Sequence, residues 1–323
     1  MIPEVRPGDR LDQYRIDSLV ARGGMASIFR ALDISGGRTV AIKVPHPEME
    51  SDPLFYDRFH READIGRKLS HPGVVKILPG EEQSRVYIAM EWIEGQPLRQ
   101  ILDAEKKLPI DRAVRMVLRV CEALGYIHEN GVVHRDLKPD NIMVDADDRI
   151  KLIDFGIARE AGARRLTYAR LTKALGTPDY VAPEQVRNKR GDARCDLYAA
   201  GVMLFEMLAG ELPFQGPNPI TAMNQRLVAD PIAVRSIEAA VSPQLEEIVH
   251  RALERDPQHR YQSAKEFAHD LLHQDEIIVD ERIAARASVR MQRPGIQWCW
   301  SYVALAMIPF VLFGLLLLVA HQK

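Results

Sequence analysis

The stretch "HRDLKPDN", His134 to Asn141, decides how this sequence is read. Taken alone, its aspartates suit turns or helix caps, where a short carboxylate bonds nearby backbone. The surrounding chain changes that reading. Upstream, "VAIKV" places Lys43 on an expected strand, and "HREAD" places Glu62 on the helix that follows. Downstream, "DFG" covers Asp154 to Gly156 and "APE" covers Ala182 to Glu184. Each residue has a plain role on its own: a solvated strand lysine, a surface helix charge, a capping aspartate. Their common order asks for one explanation.

Composition sets the limits. At 323 residues, with 46% hydrophobic and 27% charged, the chain suits one large two-lobed domain or two ordinary ones. A net charge of −2 gives no reason to expect nucleic acid as a partner. Cys121, Cys195 and Cys299 are widely spaced, so neither a disulfide framework nor a zinc site follows, and a reducing compartment fits. The opening "MIPEVRPGDRLDQY" has no apolar core and does not read as a signal peptide.

The other end differs. "VALAMIPFVLFGLLLLVA", Val303 to Ala320, carries no charge, and at 1.5 Å per residue it reaches about 27 Å, close to a bilayer core. Trp298, Trp300 and Tyr302 stand where an interface would lie. A single transmembrane helix is expected over 298–320, after a basic linker at 273–297 and before a tail at 321–323 too short for a sensor domain.

Strand patterns come first: "YRIDSLV", "ASIFRALDI" and "RTVAIKV", with Gly36-Gly37 as a turn, then "VVKILPG" and "RVYIAMEWIEG". A helix is expected in "SDPLFYDRFHREADIGRKLS", capped by Ser51 or Asp52 with Pro53 in its first turn. After Gly95 the patterns turn helical. Val114, Val117, Cys121, Leu124 and Ile127 recur at helical spacing, and "CDLYAAGVMLFEMLAG" is apolar almost all round, with Asp196 as its expected N-cap. Strands followed by helices argue for an α+β chain of two lobes.

The five motifs together resemble those of protein kinases, and the chain is identified as a member of the Hanks-type (eukaryotic-like) serine/threonine protein kinases, of the membrane-anchored bacterial kind. The resemblance covers 14–272, with an expected N-lobe at 14–95 and C-lobe at 96–272. It implies ATP and Mg²⁺ (or Mn²⁺) as cofactors and proteins as substrates. Lys43 would hold the ATP phosphates and Glu62 would orient it. Asp154 and Asn141 would ligate the metal as hard oxygen donors. Asp136 would take the proton of the acceptor hydroxyl, and Lys138 would neutralise the transferring phosphate. The resemblance further implies that Asp196 ties down the catalytic loop and that Arg260 pairs with Glu184.

"LVARGGMASIFRAL" is then the nucleotide loop: Val20, Ala21, Arg22, Gly23, Gly24, Met25, Ala26, Ser27 and Ile28 would line the phosphate side. Ala41, Glu91, Ile93 and Met143 would complete the nucleotide pocket. Alanine at 21 and 26, where glycine usually stands, is expected to restrict positive φ and weaken ATP affinity. Lys138 and "GTPDY" point to serine and threonine acceptors, with Thr177 shaping the acceptor site. Arg135 beside Asp136 goes with activation by phosphorylation, and Thr167 and Thr172 lie among arginines as the phosphosite candidates. A homodimer would allow phosphorylation in trans. The kinase domain is expected in the cytoplasm, on the inner face of an inner or plasma membrane. Two rivals are a pseudokinase scaffold, supported by the alanines alone, and a small-molecule kinase, which "GTPDYVAPE" speaks against.

Overall fold

The computed structural model describes residues 4–50, 52–79, 83–154, 178–187 and 189–279. An antiparallel five-stranded sheet comes first, in the order β1 (Arg10–Leu11), β2 (Tyr14–Arg22), β3 (Ala26–Asp33), β4 (Arg38–Pro45) and β5 (Ile88–Glu91). Alternation builds it: Val40, Ile42 and Val44 face a core with Phe29, Ala31, Tyr14 and Ile16, so Ala41 and Lys43 point to the opposite face. Register shifts in β2 between Ile16 and Ser18, and between Leu19 and Ala21, bend it just before the glycine loop.

Two helices, α1 (Pro47–Glu50) and α2 (Pro53–Lys68), connect β4 towards β5. α2 lays Phe55, Phe59 and Ala63 against Ile77 and Ile88. Pro53 is the first helical residue, as its fixed φ favours, and Asp52 accepts the first turn's bond from the N–H of Tyr56 at 2.9 Å.

The second lobe holds β6 (Gln96–Pro97), α3 (Leu98–Glu105), α4 (Ile110–Glu129), a 3₁₀ turn (Pro139–Asn141), β7 (Ile142–Val144) and β8 (Ile150–Leu152). Then come α5 (Pro183–Val186), α6 (Ala193–Ala209), α7 (Pro219–Val228), α8 (Pro243–Ala252) and α9 (Ala264–Leu272). Residues Cys195 to Ala209 of α6 are all buried, and α4 and α8 both pack against this helix. It forms the floor on which the catalytic loop rests.

The sequence reading needs correction in its strands and in one helix cap. "VVKILPG" forms no strand; Val74 and Ile77 make single bridges to Leu152 and Met90. "RVYIAMEWIEG" shortens to β5, and the sheet β6-β7-β8 had no alternation long enough to announce it. Asp196 is not a cap: α6 starts at Ala193, and Asp192 caps it by accepting the N–H of Arg194. Among the described residues no helix is long and apolar enough to cross a membrane, and the expected span at 298–320 lies outside them.

Candidate active site

Lys43 projects from β4 between two carboxylates. Its Nζ lies 2.8 Å from Glu62 Oε1 on α2 and 2.8 Å from Asp154 Oδ1, two residues past β8. Burial alone would push the ammonium towards neutrality, but Asp154 and Glu62 outweigh it and hold the Lys43 pKa above the ordinary lysine value. Burial moves Glu62 upward against the pull of Lys43. Asp154 is held below the usual carboxylate range, because Lys43 overcomes its desolvation. The three groups are therefore mutually dependent, and Lys43 stays charged.

The stretch "HRDLKPDN" forms a loop tied together from within. Asn141 donates through Nδ2 to the Asp136 carbonyl at 2.8 Å and to Asp136 Oδ2 at 3.3 Å. Lys138 Nζ stands 3.3 Å from the same Oδ2. The N–H of Ile153 donates to the Asn141 carbonyl at 3.0 Å, which sets Asn141 beside the segment carrying Asp154. His134, fully buried, adds a contact from Nε2 to the Ile153 carbonyl at 3.2 Å. Arg135 and Asp154 have φ of +61° and +55°, a left-handed conformation that non-glycine residues adopt only when the surroundings enforce it.

Asp196 supplies much of that enforcement from α6. Its Oδ2 accepts the N–H of His134 at 2.8 Å and its Oδ1 the N–H of Arg135 at 2.7 Å. His128, at the end of α4, brings Nε2 to 2.9 Å from Oδ2. Gln185 of α5 donates to the Arg135 carbonyl at 3.2 Å. The sequence reading missed His128 and Gln185, because only tertiary packing brings the end of α4 and α5 to the loop.

The glycine loop is a short turn on a zipped hairpin. Ala21 pairs with Ile28 and Arg22 with Ser27, while the N–H of Gly23 donates to the Ala26 carbonyl at 2.9 Å. One rung further, the N–H of His46 donates to the Met25 carbonyl at 2.9 Å, and its Nε2 lies 3.1 Å from Ser27 Oγ. Neither Ala21 nor Ala26 has positive φ, so the expected strain at these alanines is absent. Val20 and Met25 are half exposed. Ala41 is buried opposite Met90, and Ile93 and Met143 are partly buried. The Glu91 carboxylate is committed to the N–H of Lys76 at 2.8 Å and to Lys151 Nζ at 2.6 Å, so any role in the pocket falls to its main chain. Thr167, Thr172 and Thr177 lie outside the described residues.

The donor set tests the fit of a metal. Asp154 offers a carboxylate, and Asn141, whose nitrogen is already bonded, offers its amide oxygen. Among the described residues no three His, Cys, Asp or Glu side chains gather to hold a metal unaided. One carboxylate and one amide suit Mg²⁺, which keeps waters and takes phosphate oxygens.

Fold and site together define a class, and a match to the protein kinase domain over residues 14–274 agrees. The chain belongs to the protein kinase family. Among its relatives are the serine/threonine-protein kinases PknB of Mycobacterium leprae, 38% identical over 266 residues, and of Mycobacterium tuberculosis, 37% identical over 271 residues. These alignments cover 81% and 82% of this chain and 43% of each relative, so the chain spans about two fifths of the length of the curated proteins it matches. The crystal structure of the Mycobacterium tuberculosis PknI kinase domain superposes with a TM-score of 0.66 at 26% identity, covering 84% of this chain and all of that one.

Proposed function

We propose that this chain is a serine/threonine protein kinase that transfers the γ-phosphoryl group of ATP to protein hydroxyls. The observation that carries it is Lys43, charged and bridged between Glu62 and Asp154 opposite the Asp136–Lys138–Asn141 loop. Catalysis of phosphoryl transfer is mostly positioning and charge stabilisation, and this arrangement supplies both. Asn141 and Asp154 would hold Mg²⁺, which neutralises phosphate charge when bound. Lys43 orients the nucleotide phosphates. Asp136 accepts the proton of the acceptor hydroxyl as that oxygen bonds phosphorus and the bond to ADP breaks. Lys138, beside Asp136, faces the charge of the group in flight. A pseudokinase reading rested on Ala21 and Ala26, and their ordinary φ removes its support.

The reading extends to regulation and address. Burial depresses the pKa of Arg135, and the charges of Arg190 and Arg61 add to that effect against the pull of Asp196. A phosphate on Thr167 or Thr172 would relieve that repulsion and order the loop in the active enzyme, added in trans by a second copy. The apolar run at 298–320 anchors the chain, with the kinase domain in the cytoplasm. Incubation with MgATP followed by mass spectrometry tests the core of this reading. Phosphate on serine or threonine of the chain is expected; a chain that stays unphosphorylated and labels no protein acceptor would refute it.

A further inference from the structure

The nucleotide loop turns without any residue at positive φ between Ala21 and Ala26, so its shape needs none of glycine's extra freedom. A residue just beyond β4 holds it instead. His46 donates its N–H to the Met25 carbonyl at 2.9 Å, and its Nε2 lies 3.1 Å from Ser27 Oγ. Main chain and side chain of His46 thus grip the hairpin on either side of Ala26. Ser27 is buried, although Ala21 to Met25 stand exposed. A serine hydroxyl both donates and accepts, so the contact forms with either tautomer of the ring. His46 is itself fixed from behind. Its carbonyl accepts the N–H groups of Met49 and Glu50 at 2.8 and 3.2 Å, which starts α1, and Glu50 pairs with Arg85. Met49 packs against the cluster that holds Phe55 and Phe59 of α2.

We infer that His46 is a positioning residue for the nucleotide loop, clamping the hairpin tip to the end of the strand that carries Lys43. Ile28 pairs across strands with Lys43 and Ala26 with Pro45, so the clamp extends that ladder by one rung. Without it the tip keeps only its own hairpin bonds, and the loop must be ordered each time a nucleotide binds. With it, the loop and Lys43 reach the phosphates as one unit. The clamp also explains why alanine serves at 21 and 26: a loop held in place has no use for extra backbone freedom. His46 acts through Met25 and Ser27 and touches no substrate.

This inference rests on the kinase reading, and the experiment separates the two. In the full chain, His46→Ala is expected to raise KM for ATP about 3- to 10-fold, the scale of one hydrogen bond. Its kcat should change less than about twofold, since a bound nucleotide restores the loop. Ser27→Ala should act alike, and the double variant should be no worse than the weaker single, because both lose one contact. His46→Gln, whose amide reaches as far as Nε2, should keep KM within about twofold of wild type. Amide exchange in the nucleotide-free His46→Ala chain should quicken about threefold or more within 21–28 and stay unchanged in the rest of the sheet. Should His46→Ala lose its melting transition, Ser27→Ala and His46→Gln carry the same comparison. Unchanged KM in His46→Ala, a kcat loss larger than the rise in KM, additive alanines, no rescue by His46→Gln, or faster exchange throughout the sheet would each overturn the inference. An inactive wild-type chain would instead refute the kinase reading, and the exchange measurement would still decide whether the clamp exists.

Discussion

Arg260 holds Glu184 at two points, Nη1 to Oε1 at 2.9 Å and Nη2 to Oε2 at 2.7 Å, with both side chains almost wholly removed from water. The guanidinium also lies 4.8 Å from the ring centre of Tyr198 and donates to the carbonyls of Glu254, Arg194 and Arg255. One side chain thus joins α5, α6 and the segment between α8 and α9.

Breaking such a pair from one side strands a buried charge. Arg260→Ala is expected to destabilise the folded chain by about 3–5 kcal/mol, measured by urea denaturation. A loss below about 1 kcal/mol would show that water reaches Glu184 once the arginine is gone.

Asp196 offers a separable test of how the catalytic loop is held. Asp196→Asn keeps the shape but removes the charge that accepts the N–H groups of His134 and Arg135. Hydrogen bonds to a charged group are worth about 1.5–3 kcal/mol, so kcat should fall about 10- to 100-fold. The affinity for ATP should change little, because Lys43 is held by other residues. A rise in KM for ATP with unchanged kcat would contradict this division of labour.

Much of this was legible in the sequence, for a physical reason. Lys43, Glu62, Asp136, Asn141 and Asp154 sit in short local patterns whose order survives translation into space, so their convergence could be expected. The apolar spacing of α4 and the all-round apolarity of α6 were equally plain, since burial leaves its mark on residue type. The pairing of Arg260 with Glu184 and the tether from Asp196 followed from the resemblance, but contacts made by residues outside those motifs were not legible. His128 reads as an ordinary helix-end residue until α6 brings Asp196 to it, and Gln185 looks like a surface glutamine beside "APE". Asp196 misled because a carboxylate near a helix start serves equally well as cap or tether; the cap fell to Asp192. Ala21 and Ala26 misled for a different reason. Glycine is usual in such loops, but this hairpin keeps both positions at ordinary φ, so alanine fits.

Topology gives a prediction drawn from sequence alone. Arg282, Arg286, Arg290 and Arg293 precede the apolar run. If that run spans a membrane, retention of positive charge on the cytoplasmic side would orient the kinase domain inward. The full-length chain should sediment with membranes, and protease added to spheroplasts should spare the kinase domain until detergent is present. Recovery in the soluble fraction would remove the anchor, and digestion in intact spheroplasts would reverse the orientation.

The central claim is that Asp136 and Lys43 act on the phosphoryl group in flight, and phosphate transfer from γ-labelled ATP measures it most directly. Purified wild-type chain with Mg²⁺ should label itself or a generic protein acceptor on serine and threonine. Asp136→Asn and Lys43→Met should each slow that transfer by about 10²-fold or more, as expected when a transition-state contact is lost, with the fold intact by circular dichroism. Labelling by Asp136→Asn at the wild-type rate would contradict the account.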